Sequence, residues 1–379
     1  MAGPDLFDQL KFRDPARARA LADALRRNVD AIGREVAIMH VCGSHEQAIA
    51  RFGLRAVLPP GLQLIMGPGC PVCVTDGPEV DEAVALALRH GARVCTYGDM
   101  LRLPGTVRSL ADAHAEGGKV EVVYSIAQAV ELAERHPDEQ VVFFASGFET
   151  TAVATAAIAL SKPPANFSIL SVHKYVPAAM ELVAGIEETR IEGYLAAGHA
   201  AIITGWAIFE PFARRTGSPV AVAGFEPLDI LAALVKVTEL VRDGRPEVVN
   251  TYPRCVTKEG NRAAQATLWK VFRQTTGKWR GIAEVPDGNL DLRPELAHLD
   301  ARKRFDIDTA TVRDDHAAAE AQGCICGTIM LGLASPTDCA LFGKTCVPES
   351  PVGACMVSSE GQCRIWHTYG GVPDLRKVG

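Results

Sequence analysis

From about residue 36 to 242, short runs of β-branched and aromatic residues alternate with stretches whose apolar positions recur every three or four residues. That alternation marks βα units around a mostly parallel sheet. Strands are predicted at 36–41, 62–66, 93–97, 120–124, 141–145, 168–172, 192–196 and 219–223, enough for two sheets. Helix starts fit between them. Ser44 followed by Gln47, and Ser125 followed by Gln128, read as capping boxes, while Pro78 after Asp76, and Pro177, read as first-turn prolines. A polar break, "RHPDEQ", falls near residue 136. The expected organisation is a helical arm over 1–30 packing with the third domain, two Rossmann-like α/β domains over 31–136 and 137–225, and a third, mixed domain over 226–379 that ends rich in Cys and Gly.

A chain of 379 residues is too long for one ordinary hydrophobic core, which agrees with several domains. With 48% apolar residues, 22% charged and a net charge of −6, it offers no basic field to hold nucleic acid. The first 25 residues are charged and lack the apolar core of a signal peptide, and no stretch approaches the roughly 18 apolar residues of a membrane span. A cytoplasmic protein that engages no membrane is expected. Eleven cysteines in a reducing compartment are poorly explained as a disulfide framework, which leaves metal binding or thiol redox chemistry. Six of them, Cys324, Cys326, Cys339, Cys346, Cys355 and Cys363, crowd into the last 56 residues.

In "HVCGSHE", Cys42 lies between a strand end and a helix N-terminus, where the helix dipole favours a thiolate. His45 and Glu46 follow one turn on and could supply a ligand or proton acceptor. The alternative is a small buried residue in a βα turn. In "GPGCPVC", Cys70 and Cys73 form a C-x-x-C pair in a Gly/Pro loop, suited to a reversible disulfide or to half of a zinc site. "SGFETTA" with Glu149, "SVHKYVP" with His173 and Lys174, and "AAGHAA" with His199 load further strand ends with polar groups, which together suggest a shared cleft. The gaps between the tail cysteines match neither paired zinc knuckles nor the compact ferredoxin run. Thiolates from separate loops can still enclose an Fe–S cube, which needs four; the alternative is a zinc-stabilised tail.

Together "CGSHE", "GPGCPVC", "FFASGFETTA", "SVHKYVP" and "DCALFGKTCVPESPVGACMVSSEGQC" resemble the HypD family of hydrogenase-maturation proteins, in order and over nearly the whole chain. The resemblance implies two related α/β domains and a cluster-bearing third. It also implies a scaffold with redox activity, not a conventional enzyme, on which the Fe(CN)2CO group of [NiFe]-hydrogenase is assembled. The partners implied are a HypC-type chaperone and a HypE-type cyanide donor. By resemblance, iron sits on Cys42; three positions along the following helix, His45 is expected beside it as a hydrogen-bond partner, and the strand-end residues Glu149, His173 and His199 are candidate cofactor-binding residues. The family pattern C-x14-C-x6-C-x16-C falls on Cys324, Cys339, Cys346 and Cys363 as ligands of a [4Fe–4S] cluster, leaving Cys326 and Cys355 as a second redox pair beside Cys70 and Cys73. Cys95 and Cys255 match no family cysteine and are expected to be ordinary buried thiols. Electrons are expected to pass from the cluster through both pairs to the iron. The rival expectation is a stand-alone disulfide reductase of the ferredoxin-thioredoxin reductase kind.

Overall fold

All eight predicted strands form, with ends shifted by at most two residues, in a computed structural model that describes residues 13–307 and 323–371. In chain order they are β1 (Val36–His40), β2 (Leu62–Met66), β3 (Arg93–Thr96), β4 (Val120–Val122), β5 (Val141–Ala145), β6 (Phe167–Ser171), β7 (Ile191–Ala197) and β8 (Val220–Ala223). Three more follow: β9 (Val248–Asn250), β10 (Phe272–Trp279) and β11 (Ala283–Leu292). β1, β2, β7, β8 and β9 form one wholly parallel sheet in the order β2-β1-β7-β8-β9, and β3 to β6 a second in the order β4-β3-β5-β6. β10 and β11 form an antiparallel hairpin. The unbroken apolar runs of β5 and β8 are buried along their whole length, as strands covered by helices on both faces must be.

Local signals hold where the cap is real. Ser125 accepts from the Gln128 amide, Asp76 and Glu79 cap the Gly77–Leu88 helix reciprocally with Pro78 in its first turn, and Pro177 is the second residue of the Val176–Ala184 helix. Ser44 does not cap. The Gly43–Arg51 helix begins one residue earlier, with Cys42 itself as the N-cap.

Space divides the chain differently from its linear order. Among the described residues, one compact unit comprises 13–69, 183–261 and 365–371, and the other 70–182, 262–307 and 323–364. The expected boundary near 136 falls inside a sheet, because β3, before the break, pairs with β5, after it. Nor do residues 226–379 form a third domain. The Pro227–Arg242 helix packs on β7 and β8 of the first unit, whereas the hairpin and Ala354 in the Cys-rich tail belong to the second, Ala354 lying in its core with Val80, Val94 and Phe144. The break is polar because it is a surface turn, and strand pairing is decided by buried faces, not by proximity in sequence. Of the expected arm, residues 1–12 lie outside the described ones. The rest forms the Pro15–Ile32 helix, which packs on Pro227–Arg242, with Asn28 Nδ2 donating to the Val235 carbonyl at 3.0 Å.

Candidate functional site

In the first sheet the chain crosses from β1 to β2 on one side and from β7 to β8 on the other, so the direction of winding reverses between β1 and β7. Such a switch point opens a crevice at the carboxyl ends of the strands, where parallel sheets bind their ligands. Cys42 stands two residues past β1 and His199 two past β7. The pairing of β1 with β7 brings the Cys42 sulfur to 4.0 Å from His199 Nδ1 across a sequence separation of 157. Cys42 makes no side-chain cap bond, and its sulfur is nearly fully buried with Ala197, Ala200 and Phe225. Gly69 is required here: a Cβ at that position would strike the Val41 carbonyl and the Cys42 amide, and the Gly69 carbonyl accepts from Gly43 at 3.1 Å.

His45 turns elsewhere. Its Nε2 donates to the Gly224 carbonyl at 3.0 Å, and burial, with His40 and His199 nearby, pushes its pKa down to about 3. The ring is therefore neutral, with Nδ1 carrying a lone pair and finding no partner among the described residues. Phe225 packs between His45, 4.9 Å away, and His199, 5.3 Å away, and forms one wall of the site. Burial also lowers the His199 pKa.

Beneath Cys42 lies a fully buried carboxylate. Glu46 accepts two hydrogen bonds from Arg55 at 2.8 Å and one from Trp366 Nε1 at 2.6 Å, and His40 Nε2 lies 2.8 Å away. Burial alone would raise its pKa, but His40 and the Arg55 charge together hold it down to about 2. Glu46 is thus spent as a structural anion, not held in reserve as a ligand. His40 Nδ1 lies 3.2 Å from the Cys42 carbonyl, so the network grips the backbone that presents the sulfur.

The second unit carries the other sulfurs. Cys70 and Cys73 are disulfide-bonded around the Pro71–Val74 turn, with Cα atoms 5.3 Å apart. That turn packs on the Ala354–Val357 turn, and Cys73 Sγ lies 4.0 Å from the Ala354 carbonyl, one residue before Cys355. Cys324, Cys339, Cys346 and Cys363, together with Cys326, line one small cavity walled by Ile329, Leu341, Phe342 and Met356. Cys324 and Cys326 approach to 3.2 Å between sulfurs. Among the described residues no three donor side chains converge on a point as a single metal ion would need; the cysteines instead ring a space. The tail is pinned at the β3 end by Asp99, which accepts from Ser358 Oγ at 3.2 Å and from the Ser359 amide and hydroxyl at 2.9 Å.

Glu149 and His173 also lie in the second unit, whereas His199 lies in the first. Both His173 nitrogens are engaged, Nδ1 at 3.3 Å from the Gly147 carbonyl and Nε2 at 2.9 Å from Thr155 Oγ1, so the ring holds the turn after β5. Gly147 has φ of +142°, and a side chain there would meet Thr151. Glu149 is buried, accepts from the Val176 amide at 2.9 Å with one oxygen, and burial pushes its pKa up to about 7. Lys174, fully buried, pairs with Glu79 at 2.7 Å. Cys95 is buried, which pushes its thiol up to about 12, but Cys255 is exposed, contrary to expectation.

Comparison with known proteins decides the family. Residues 16–370 match the family described as "HypD: Hydrogenase formation hypA family". The chain belongs to the HypD family. HypD of Cupriavidus necator is 41% identical over 379 residues, covering 97% of this chain and 98% of that protein. The hydrogenase expression/formation protein HupD of Azotobacter chroococcum is 42% identical over 370 residues, covering 95% and 96%, and HypD of Azotobacter vinelandii is 41% identical over the same length and coverage. Every HypD motif read from the sequence lies inside the matched stretch. Missed by sequence reasoning in this HypD-family chain were Phe225, Arg55, Trp366 and Asp99. Only Glu46, an acidic residue in a buried helical turn that requires a partner, hinted that Arg55 had a task. No helix among the described residues is long and apolar enough to cross a membrane.

Proposed function

We propose that the chain is a hydrogenase-maturation scaffold on which an iron ion, its cargo, acquires cyanide and carbon monoxide. In this reading the Cys42 thiolate holds the iron together with a thiolate from a HypC-type chaperone, and a HypE-type protein delivers cyanide. The observation that carries it is the meeting of Cys42 and His199 at the switch point of the first sheet. A thiol must lose its proton to bind iron. His199 Nδ1 is the base within reach, while Ala197, Ala200 and Phe225 keep the position dry. A soft thiolate suits the reduced, low-spin iron that cyanide and carbon monoxide require.

The donor set in the second unit fits an iron–sulfur cube: thiolates from separate loops around an apolar cavity. Cys324, Cys339, Cys346 and Cys363 would hold a [4Fe–4S] cluster, which when bound supplies single electrons. Cys326 and Cys355 act as a dithiol pair next to Cys70 and Cys73. A tail thiolate that opens the Cys70–Cys73 disulfide leaves the tail pair oxidised and Cys70 and Cys73 reduced, two electrons having moved. These pairs keep the scaffold's iron reduced.

The test is Cys42→Ser. The variant should fold and co-purify with the HypC-type chaperone, yet lack the cyanide and carbonyl stretching bands expected in the infrared spectrum of the native complex. Bands at native intensity would mean that iron is held elsewhere. A stand-alone disulfide reductase would not need Cys42. It is the correct reading if Cys42→Ala leaves both disulfide reduction and hydrogenase maturation intact.

A further inference from the structure

A second opening lies on the other side of the tail sulfurs. Cys324 and Cys326 line not only the small apolar cavity but also a cleft of about 170 Å³ bounded by Asp76, Thr106, Lys278, Arg280 and Ala354. Arg280 is fixed there. Its Nε donates to the Thr75 carbonyl at 2.6 Å and Nη2 to the Pro104 carbonyl at 2.5 Å, while its backbone amide donates to Val74 beside the disulfide turn. Nη1 has no acceptor among the described residues. Lys278, two residues earlier and bounding the same cleft, is exposed.

We propose that this cleft seats a small anionic thiol that reduces the Cys326–Cys355 pair, an inference that rests on reading these two cysteines as a redox pair. Access decides the chemistry. Cys326 faces the cleft, whereas Cys355 is buried and does not line it. Exchange is governed by which sulfur an incoming thiolate can reach. The first thiolate attacks Cys326 Sγ of the oxidised pair, the S–S bond breaks, and its electron pair leaves on Cys355 Sγ, which takes a proton. A second thiolate attacks the small-molecule sulfur of the mixed disulfide. This releases the Cys326 thiolate and an external disulfide, so two thiols have given two electrons. Arg280 and Lys278 hold the carboxylates of the small thiol while its sulfur is delivered.

Glutathione serves as the anionic probe and 2-mercaptoethanol as the neutral one, both applied to the oxidised full-length protein, quenched by alkylation and mapped by peptide mass. In Cys355→Ser, which has no resolving thiol, glutathione disulfide should leave its adduct on Cys326. In Lys278→Gln the rate with glutathione should fall by about fivefold, the worth of one close charge pair in water, and the rate with 2-mercaptoethanol should stay unchanged. Equal effects on both thiols, or no adduct on Cys326, would overturn the cleft assignment. Should Cys326 and Cys355 fail to cycle even with 2-mercaptoethanol, the redox-pair reading falls instead, and the cleft with it.

Discussion

Replacing Glu46 by Gln isolates the charge beneath Cys42. The amide keeps the shape, but its NH2 must then face one of three donors, Arg55, His40 or Trp366, and the Arg55 guanidinium loses its counter-ion. A fall of the Glu46 carboxyl from its ordinary 4.5 to about 2 corresponds to a stabilisation of about 3 kcal/mol from this fully buried group. The folded-state pKa is depressed, so the contribution is complete above pH 4.5 and is lost as pH falls through about 2. By pH 3.5 the wild type should have forfeited about 1.4 kcal/mol of it. Urea unfolding of wild type and Glu46→Gln, followed by tryptophan fluorescence, should therefore show a gap of about 3 kcal/mol at neutral pH that narrows to below about 2 kcal/mol at pH 3.5. The comparison cancels other carboxylates, which titrate in both proteins. A gap that stays constant across this range would refute the argument, because it would mean the cost comes from geometry and not from charge.

The remaining predictions concern sulfur. Alanine at Cys324, Cys339, Cys346 or Cys363 should abolish acid-labile sulfide together with the local fold, whereas alanine at Cys326 should retain it; the reverse outcome for Cys324 and Cys326 would exchange their roles. Cys70 and Cys73 should interconvert between dithiol and disulfide in a graded redox buffer, read by mass-shift alkylation, and should bind no zinc; a pair that stays reduced under oxidising buffer and holds zinc stoichiometrically would argue for a structural metal site.

Strand positions were legible because they are short, largely apolar runs, those of β1, β5, β6 and β8 being buried along their whole length. Pairing was not, because nothing near Val36–His40 in sequence says that its neighbour is Ile191–Ala197. The hairpin β10–β11 escaped for another reason. Its residues "FRQTTGKW" and "AEVPDGNLDL" mix buried, half-buried and exposed positions, with Pro286 and Gly288 inside the second strand, and such a strand gives a weak hydrophobic pattern. At the site, Cys42 could be found from its strand-to-helix position. His199 could be named but not paired with it, and Phe225, apolar and unremarked, could not be found at all.

The histidine nearer in sequence shows why. From sequence, His45 is the natural partner of Cys42, since three residues along a helix can bring it alongside. But Cys42 is the N-cap, in extended backbone with φ of −156°, so its side chain is not part of the helical surface to which His45 belongs. The His45 ring is drawn instead to the carbonyl after β8, where Gly224 accepts its Nε2 proton. The position facing the sulfur then falls to whatever follows β7, the next strand across the switch point, and that is His199. The chemistry of this thiol is thus set by strand order, which brings together two strands that the sequence holds far apart.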